Sequence, residues 1–244
     1  MNLGEKGGLK ISSYKVMVYI VMIILTLQFA LGEVVVFSNY ETTTTLRDDR
    51  LHIEREITLQ NVGSNPIIPG ELHFRIHELK EGKHVASQIR NLEVYNDYGQ
   101  EMNNRKVEGD DETQLVVSLW EPVLPQFSYK IYMTYDIMFE TKGILFYELV
   151  VPVEETTIPI RNSENMIHIP SRYHVTNAPD AQVRMIEKEG NEYSEVNWEG
   201  KKQMPVEYSV LPLPRLGIKA VNLFWGVIII ITLILSYVLH RKLR

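Results

Sequence analysis

Two histidines, His73 and His77, have the spacing at which two imidazoles can chelate zinc from one face of an α-helix. Polar and apolar residues alternate through Glu71–His77, however, and this alternation predicts a β-strand. On a strand the same spacing separates the two histidines by about 13 Å, which is too far for both to bind one ion. We therefore expect ordinary outward-facing strand residues here and no zinc site.

Acidic residues cluster at Glu108–Glu112 and at Asp48–Asp49, and carboxylate oxygens are ligands that calcium prefers. Neither cluster has the Asp-x-Asp-x-Asp-Gly spacing of a dedicated calcium loop, so we expect solvated loops. The chain also lacks a Gly-x-Ser-x-Gly elbow, a phosphate-binding glycine loop and any cysteine nucleophile. The sequence therefore predicts no catalytic residue, no cofactor and no metal. An envelope hydrolase of unrecognised type is the remaining enzymatic alternative.

Aromatic residues are frequent between residues 33 and 211, where they serve either as strand residues that fill a core or as exposed contacts for a sugar or protein. Core and cross-strand packing is the more common role of aromatic residues in strands. The residues concerned are Tyr95, Tyr98, Tyr129, Tyr132, Tyr135, Tyr147, Tyr173, Trp120 and Trp198.

The segment from Ala220 to Leu239 contains twenty residues without a charge, which is the length that an α-helix needs to cross the hydrocarbon of a bilayer. Phe224 and Trp225 near one end and Tyr237 near the other suit the two interfacial belts. The basic tail 240–244 follows directly, so the positive-inside rule predicts a cytoplasmic C-terminus. The segment is predicted to be a transmembrane helix.

Within this segment, Asn222 and Gly226 are four residues apart and share one helix face. Small and polar residues of these types let two membrane helices approach and form hydrogen bonds. Asn222 and Gly226 are therefore candidates for a helix–helix contact in the membrane. Placement of Asn222 in the outer headgroup layer is the alternative.

Three lysines, Lys6, Lys10 and Lys15, precede the apolar run Val16–Leu31, and Ala30-Leu31-Gly32 resembles a signal-peptidase site. Residues 1–32 are therefore a signal peptide or an uncleaved membrane anchor. Both alternatives place Glu33 outside the cell membrane. The protein crosses the membrane once if the segment is cleaved and twice if it is not.

The region between the two apolar ends is acidic: residues 33–216 hold 18 basic and 30 acidic side chains, a formal charge of −12. A nucleic-acid partner is therefore not expected, because phosphate binding requires a basic face. Anionic lipid should repel the region, so we expect it to stand off the membrane surface or to be held there by other membrane or envelope proteins. The absence of cysteine and of Asn-x-Ser/Thr acceptors in this region favours a prokaryotic envelope protein.

Alternating apolar residues define the fold class of residues 33–211. Leu72, Phe74 and Ile76 share one face of a predicted strand, and Tyr129–Ile137 shows the same period. Short strands separated by Asn, Gly, Asp and Pro turns indicate an all-β sandwich outside the cytoplasm. The predicted strands are 50–59, 71–77, 88–95, 114–120, 129–137, 144–151, 166–169, 182–187, 193–198 and 205–211.

The prolines and glutamates of Val151–Pro159 interrupt this series, so we expect two packed immunoglobulin-like modules, with a single larger sandwich as the alternative. In Leu211–Gly217 prolines alternate with other residues, a pattern that favours a stiff, extended stalk. The predicted organisation is 1–32 signal peptide or anchor, 33–152 first β module, 153–211 second β module, 212–219 stalk, 220–239 membrane helix and 240–244 cytoplasmic tail.

The stretch Ile57–Ile67 carries a family resemblance. Its Asn61-Val62-Gly63 turn and the following Pro66 are similar to the strand-turn phrase of immunoglobulin-like β-sandwich modules in prokaryotic extracytoplasmic surface proteins. The resemblance covers about twenty residues and implies a sandwich architecture. It implies no catalytic or ligand-binding residue, because such modules share an architecture without sharing a function.

These observations predict a membrane-anchored, extracytoplasmic β-sandwich that acts as a non-catalytic binding or scaffolding module, as a subunit of a membrane protein complex. The alternative is a surface sensor or adhesin that binds a soluble ligand, sugar or ion through its loops. The predicted location is the cell membrane, with the β domain outside and the C-terminus cytoplasmic.

Overall fold

The computed structural model describes residues 34–80, 82–139, 143–200, 205–215 and 217–242. Strands account for 57% of the structure, and one apolar helix follows them. The predicted β class and the predicted C-terminal helix are therefore confirmed. The predicted signal peptide or anchor lies outside the described residues, and immunoglobulin-like packing stays a prediction.

Fifteen strands and one helix lie within the described ranges. They are β1 (Val35–Leu46), β2 (Arg50–Asn61), β3 (Glu71–Lys80), β4 (Lys83–Ala86), β5 (Ile89–Asn96), β6 (Asn104–Glu108), β7 (Thr113–Ser118), β8 (Ser128–Met138), β9 (Phe146–Val150), β10 (Val153–Thr156), β11 (Ser163–Pro170), β12 (His174–Asn177), β13 (Gln182–Lys188), β14 (Asn191–Glu199), β15 (Pro205–Ser209) and α1 (Ala220–Lys242).

Seven strands form the largest sheet, in the order β13-β14-β11-β1-β2-β8-β5. Neighbouring strands are antiparallel except β1 and β11, which are parallel. The alternation in β8 buries Ile131, Met133, Tyr135 and Ile137, as the sequence predicts. This face of the sheet is one wall of the core.

The opposite wall is a five-stranded sheet of the order β10-β3-β7-β6, with β4 paired to β3. Leu72, Phe74 and Ile76 of β3 are buried as predicted, and the Phe74 ring stacks on Phe37 of β1 at 6.0 Å between centroids. His77 differs from its prediction as an outward-facing residue. It is buried, and its ring stacks on that of His84 at 4.1 Å, because β4 covers this edge of β3.

Strands β12, β15 and β9 form a third sheet in that order. Its buried residues Leu149, Val206 and Tyr208 join the same core cluster as those of the two larger sheets. The Tyr208 ring lies 5.2 Å from Tyr147 and 5.1 Å from Tyr173. This sheet therefore connects the sandwich to the segment that leads into α1.

The predicted module boundary at residue 152 falls between β9 and β10. Strands from both sides of it share all three sheets: β11 pairs with β1 through six residues, β10 with β3 through four, and β15 with β9 through five. Residues 33–152 and 153–211 are thus joined by backbone hydrogen bonds as well as by packing.

Candidate functional site

Two loops at one end of the sandwich are tied together by Asn61, the last residue of β2. Its side-chain Nδ2 donates to the carbonyls of Asn65 and Val123, each at 2.8 Å, and its Oδ1 accepts from the Gly63 N–H at 2.9 Å. Its backbone N–H and carbonyl bond to Phe127 and Gln126. This one fully buried amide therefore holds loop 62–70 against loop 119–127.

Backbone bonds complete the connection between these loops. Ile67 and Val123 exchange both hydrogen bonds, at 2.9 and 3.2 Å, and the Leu119 N–H donates to the Gly70 carbonyl. Loops held by this many backbone hydrogen bonds lose little conformational entropy when a partner binds to them. The end of the sandwich is therefore a preorganised surface.

These two loops and the turn that follows β5 display large apolar side chains, which we call the far-end patch: Ile68, Tyr98, Trp120, Leu124 and Phe127. Trp120 is 71% exposed and Phe127 is 63% exposed, although the backbone N–H groups of Leu119 and Phe127 are hydrogen-bonded within these loops. Exposed apolar patches on loops that a rigid scaffold positions are typical of protein-binding surfaces. Aromatic residues carry much of the binding energy at such surfaces.

The far-end patch and the apolar helix lie at opposite ends of β8. Phe127 directly precedes β8, whereas Met138 ends it and β9 is the next strand along the chain, whose first residue Phe146 contacts α1. A strand of this length spans about 35 Å. The patch is thus held well away from the start of the helix.

The N-terminus of α1 is bound by a buried carboxylate of β15. Glu207 Oε1 accepts the Ala220 N–H at 2.6 Å, and its Oε2 lies 3.4 Å from the Val221 nitrogen. The Thr176 hydroxyl donates to Glu207 at 2.7 Å, and Lys219 pairs with Glu148 at 2.7 Å. A carboxylate at this position satisfies free helix N–H groups and complements the positive end of the helix dipole. The junction between sandwich and helix is therefore specific.

A polar cavity of about 810 Å³ opens between β1, β2, β10 and the segment 158–165. An ion pair between Arg55 of β2 and Glu154 of β10 lies in its wall, with side chains 4% and 11% exposed, and the Tyr40 hydroxyl donates to Glu154. The Arg55 guanidinium also lies 5.0 Å from the centroid of the Tyr135 ring. This cluster joins the two large sheets through charge rather than through apolar contact.

Burial sets the protonation of this cluster. It raises the pKa values of Tyr40 and Tyr135, and it raises the pKa of Glu154 although Arg55 opposes it. Burial alone would lower the pKa of Arg55, but Glu154 outweighs it and raises that pKa. Arg55 therefore stays charged, and Glu154 depends on it for its own charge.

The other face of the seven-stranded sheet carries two histidine–carboxylate pairs. His52 Nδ1 lies 2.8 Å from Asp136 Oδ1, and His168 Nε2 lies 3.2 Å from Glu195 Oε2. β1 separates β2 from β11, so the two imidazoles are about 10 Å apart across the strands and cannot act on one atom or one ion. These pairs occupy one row of residues in register: Arg184, Glu195, His168, Thr45, His52, Asp136 and Arg90.

One member of each pair has a pKa below its ordinary value, Asp136 in the first and His168 in the second. Burial would raise the pKa of Asp136, but hydrogen bonds from His52 and Asn91 and the charges of His52 and Arg50 outweigh it and lower that pKa. Burial lowers the pKa of His168, and Glu195 opposes this shift.

The residues predicted for a helix–helix contact lie in the first two turns of α1. Asn222 is exposed and nothing in the described chain approaches within 4 Å of a side-chain carbon built on Gly226. Contact with another helix at this face stays a prediction. Among the predicted aromatic residues, Tyr135 and Trp198 are buried, whereas Tyr98 and Trp120 are exposed and belong to the far-end patch.

No group of three or more His, Asp or Glu side chains that could hold a metal occurs in the described ranges. In the acidic turn Glu108–Glu112, the Gly109 N–H donates to the Glu112 carbonyl at 2.9 Å, which closes the loop on itself.

Sequence reasoning did not identify Arg55, Glu154 and Glu207. Arg55 had a signal, because it falls on the buried phase of a strand in which Leu51, Ile53, Ile57 and Leu59 face the core. A charged residue at a buried position requires a partner, and Glu154 provides it. Glu207 lacks this signal, because alternation with Val206 and Tyr208 assigns it to the outward phase of β15, yet all three residues are buried.

Comparison with known proteins leaves the family open. No protein-family model matches the chain, and no curated protein matches it. Among solved structures, the M1 zinc metallopeptidase from Deinococcus radiodurans is similar at 12% identity and a TM-score of 0.42, over 72% of this chain and 42% of that chain. A two-domain M1 zinc metallopeptidase mutant with bound L-tryptophan is similar at 11% identity and a TM-score of 0.41, over 73% and 43%. The chain thus spans less than half the length of the peptidases it resembles.

Proposed function

We propose that this protein is a non-catalytic binding module of the cell membrane that holds another membrane or envelope protein through the far-end patch. Helix α1 anchors it, and the β domain lies outside the cell. The protein serves as a subunit of a membrane complex.

The observation that carries this proposal is the combination of exposure and rigidity in the loops that Asn61 connects. Trp120 and Phe127 are large, apolar and open to solvent, while the backbone beneath them is fixed by hydrogen bonds. A protein interface gains most from residues of this kind, because the apolar area is buried at a small cost in conformational entropy.

The orientation in the membrane rests on charge. Helix α1 is long and apolar enough to cross a bilayer, and His240, Arg241 and Lys242 lie in its last turn. Basic residues beside a span favour the cytoplasmic side. The acidic β domain is then outside.

The test is the size of the particle that a mild detergent releases from native membranes. The full chain should be found in a discrete complex with another membrane or envelope protein. Trp120→Ser together with Phe127→Ser should shift the chain to the monomer position on size exclusion with light scattering. Met185→Ser, which removes a side chain 62% exposed on β13, is the matched control and should leave the complex intact.

Three results would refute the proposal. A wild-type monomer would leave the patch without a protein partner, and a complex that survives the double substitution would place the interface elsewhere. A particle that contains only copies of this chain would make the patch a self-association surface.

The polar cavity favours a second function, binding of a soluble ligand. Its volume of about 810 Å³ is within the range of small-molecule sites, and Arg55, Glu154 and Tyr40 provide charge and hydrogen-bonding groups in its wall. A ligand that binds only the folded chain must raise its unfolding temperature. A screen of sugars, peptides and calcium by thermal unfolding of the full chain in detergent tests this function, with Asn162→Ala at the cavity rim as the variant that should lose the shift.

A further inference from the structure

The turn that leads into β9 lies directly against the first turns of the apolar helix. The rings of Phe146 and Phe224 are 5.6 Å apart between centroids. We propose that residues Gly143–Phe146 insert into the outer leaflet of the bilayer and dock the β domain on the lipid surface. This inference rests on the membrane anchoring proposed above.

The depth of the turn follows from the helix it touches. The uncharged run starts at Ala220 and needs all twenty of its residues to cross about 30 Å of hydrocarbon. Phe224 is four residues further along, or about 6 Å along the helix axis from Ala220. A ring in contact with Phe224 thus lies just inside the hydrocarbon, next to the interfacial layer in which aromatic side chains are favoured.

The junction prevents the turn from swinging away from this depth. The Glu207 carboxylate holds the first N–H groups of α1, and Lys219 pairs with Glu148, two residues after Phe146. Strand β9 is also hydrogen-bonded to β15, the strand that carries Glu207. The helix, β15 and the turn therefore move as one unit.

The composition of the turn suits lipid contact. Ile144 is 86% exposed, and Leu145 and Phe146 follow it. Gly143 has φ +127°, and a side-chain carbon there would clash with the Phe146 carbonyl oxygen, so only glycine permits this geometry. Ile218 and Leu213, on the segment that leads into the helix, are exposed as well. An isoleucine as exposed as Ile144 leaves apolar surface in water unless lipid covers it.

The turn also changes what net charge alone predicts. A formal charge of −12 should hold the domain away from anionic lipid, but burial of apolar side chains does not depend on the charge of the lipid. Zwitterionic phosphatidylcholine is therefore a suitable probe, because it removes the electrostatic contribution.

The experiment uses the absence of native cysteine. Single cysteines replace Ile144 in the turn, Tyr98 in the far-end patch and Ile230 in the helix, each in the full chain, and each is labelled with an environment-sensitive fluorophore. All three positions are exposed in the structure, so the substitutions leave the core unchanged. The labelled proteins are placed in phosphatidylcholine nanodiscs that contain lipids with a quencher at a shallow or a deep acyl position, and iodide serves as the aqueous quencher.

We expect shallow lipid quenching and loss of iodide quenching at position 144, deep lipid quenching at 230 and iodide quenching alone at 98. A label at 144 that iodide quenches while 230 stays protected would overturn the insertion and leave the anchor intact. A label at 144 that neither quencher reaches would show that protein covers the turn, which also overturns lipid contact. Iodide quenching at 230 would instead refute the anchor.

Discussion

The ion pair between Arg55 and Glu154 supports a quantitative prediction. Arg55→Met keeps the length and packing of the side chain but leaves Glu154 buried with Tyr40 as its remaining partner. Removal of one member of a buried ion pair costs about 3–5 kcal/mol, because the other charge is left without compensation. Glu154→Gln should cost a similar amount, since Arg55 is 4% exposed and cannot lose its proton.

These costs are large relative to the free energy of unfolding, which is about 5–15 kcal/mol for a typical domain. For a protein of this size each kcal/mol lowers the unfolding temperature by about 2–4 °C, so either single substitution should lower it by roughly 6–20 °C. The double variant should cost much less than the sum of the two, because no unpaired charge remains. Urea unfolding of the full chain in detergent, followed through the fluorescence of the buried Trp198, gives the free energy of unfolding of the wild type, the two single variants and the double variant.

The pH dependence separates a lost charge pair from a lost packing contact. Burial raises the pKa of Glu154 in the folded state, and Arg55→Met removes the group that opposes this shift. A carboxyl with a raised folded pKa binds protons more readily in the folded state, so stability falls as the pH rises from the unfolded value of about 4.3 towards the folded value. The deficit of Arg55→Met should therefore grow with pH through this window, while Glu154→Gln should lack this contribution.

Additive costs in the double variant would refute the reasoning, because they would show that the two charges do not depend on each other. A deficit of Arg55→Met that is the same at pH 4 and pH 7 would show that the arginine acts through packing alone. Leu51→Ala, in the same strand and fully buried, is the packing control, and its cost should not vary with pH in this way.

Three further substitutions have defined outcomes. Glu207→Ala should loosen the junction at a cost of about 0.5–2 kcal/mol, seen as faster hydrogen exchange of the Ala220 and Val221 amides. The folded pKa of Asp136 is lowered, so its ionised form stabilises the folded state above about pH 4, and this stabilisation disappears as the pH falls through the folded pKa. Asp136→Asn should therefore lower the free energy of unfolding at pH 7 and make it depend less on pH in the acid range. Asn61→Ala leaves the Val123 carbonyl without its side-chain donor and should cost about 1–3 kcal/mol by thermal unfolding, while it also weakens the complex proposed for the far-end patch.

The alternation of apolar residues predicted several strands, and in β8 it also predicted the correct faces. It missed β1, although this strand lies between β2 and β11 and is twelve residues long. The run Thr42–Thr45 conceals the two-residue alternation of β1. Thr42 and Thr44 are buried while Thr43 and Thr45 are not, but all four residues are threonine. Threonine fits both faces of a strand, so hydropathy cannot separate them there.

The site was harder to predict than the sheets because its parts are far apart in sequence. Asn61 was identified as a turn residue, but its bond to the Val123 carbonyl joins positions 62 residues apart. Glu154 lies in a segment whose prolines suggested a boundary, yet its charge is paired with Arg55 on the opposite sheet. Periodicity reports which face a residue occupies, and it carries no information about which distant residue lies opposite.

The junction at Glu207 changes how the height of the domain above the membrane is determined. If the proline-containing segment before α1 acted only as a stalk, its length would set that height, and the domain would sample many orientations. The hydrogen bonds that the first N–H groups of α1 donate to Glu207 of β15 remove this freedom, so the length of β8 separates the far-end patch from the helix by about 35 Å. A partner whose own site lies at that height, and which is itself held in the membrane, meets the patch at a high effective concentration. A partner in solution gains nothing from the rigid junction, and for this reason the junction favours a subunit of a membrane complex over a receptor for a soluble ligand.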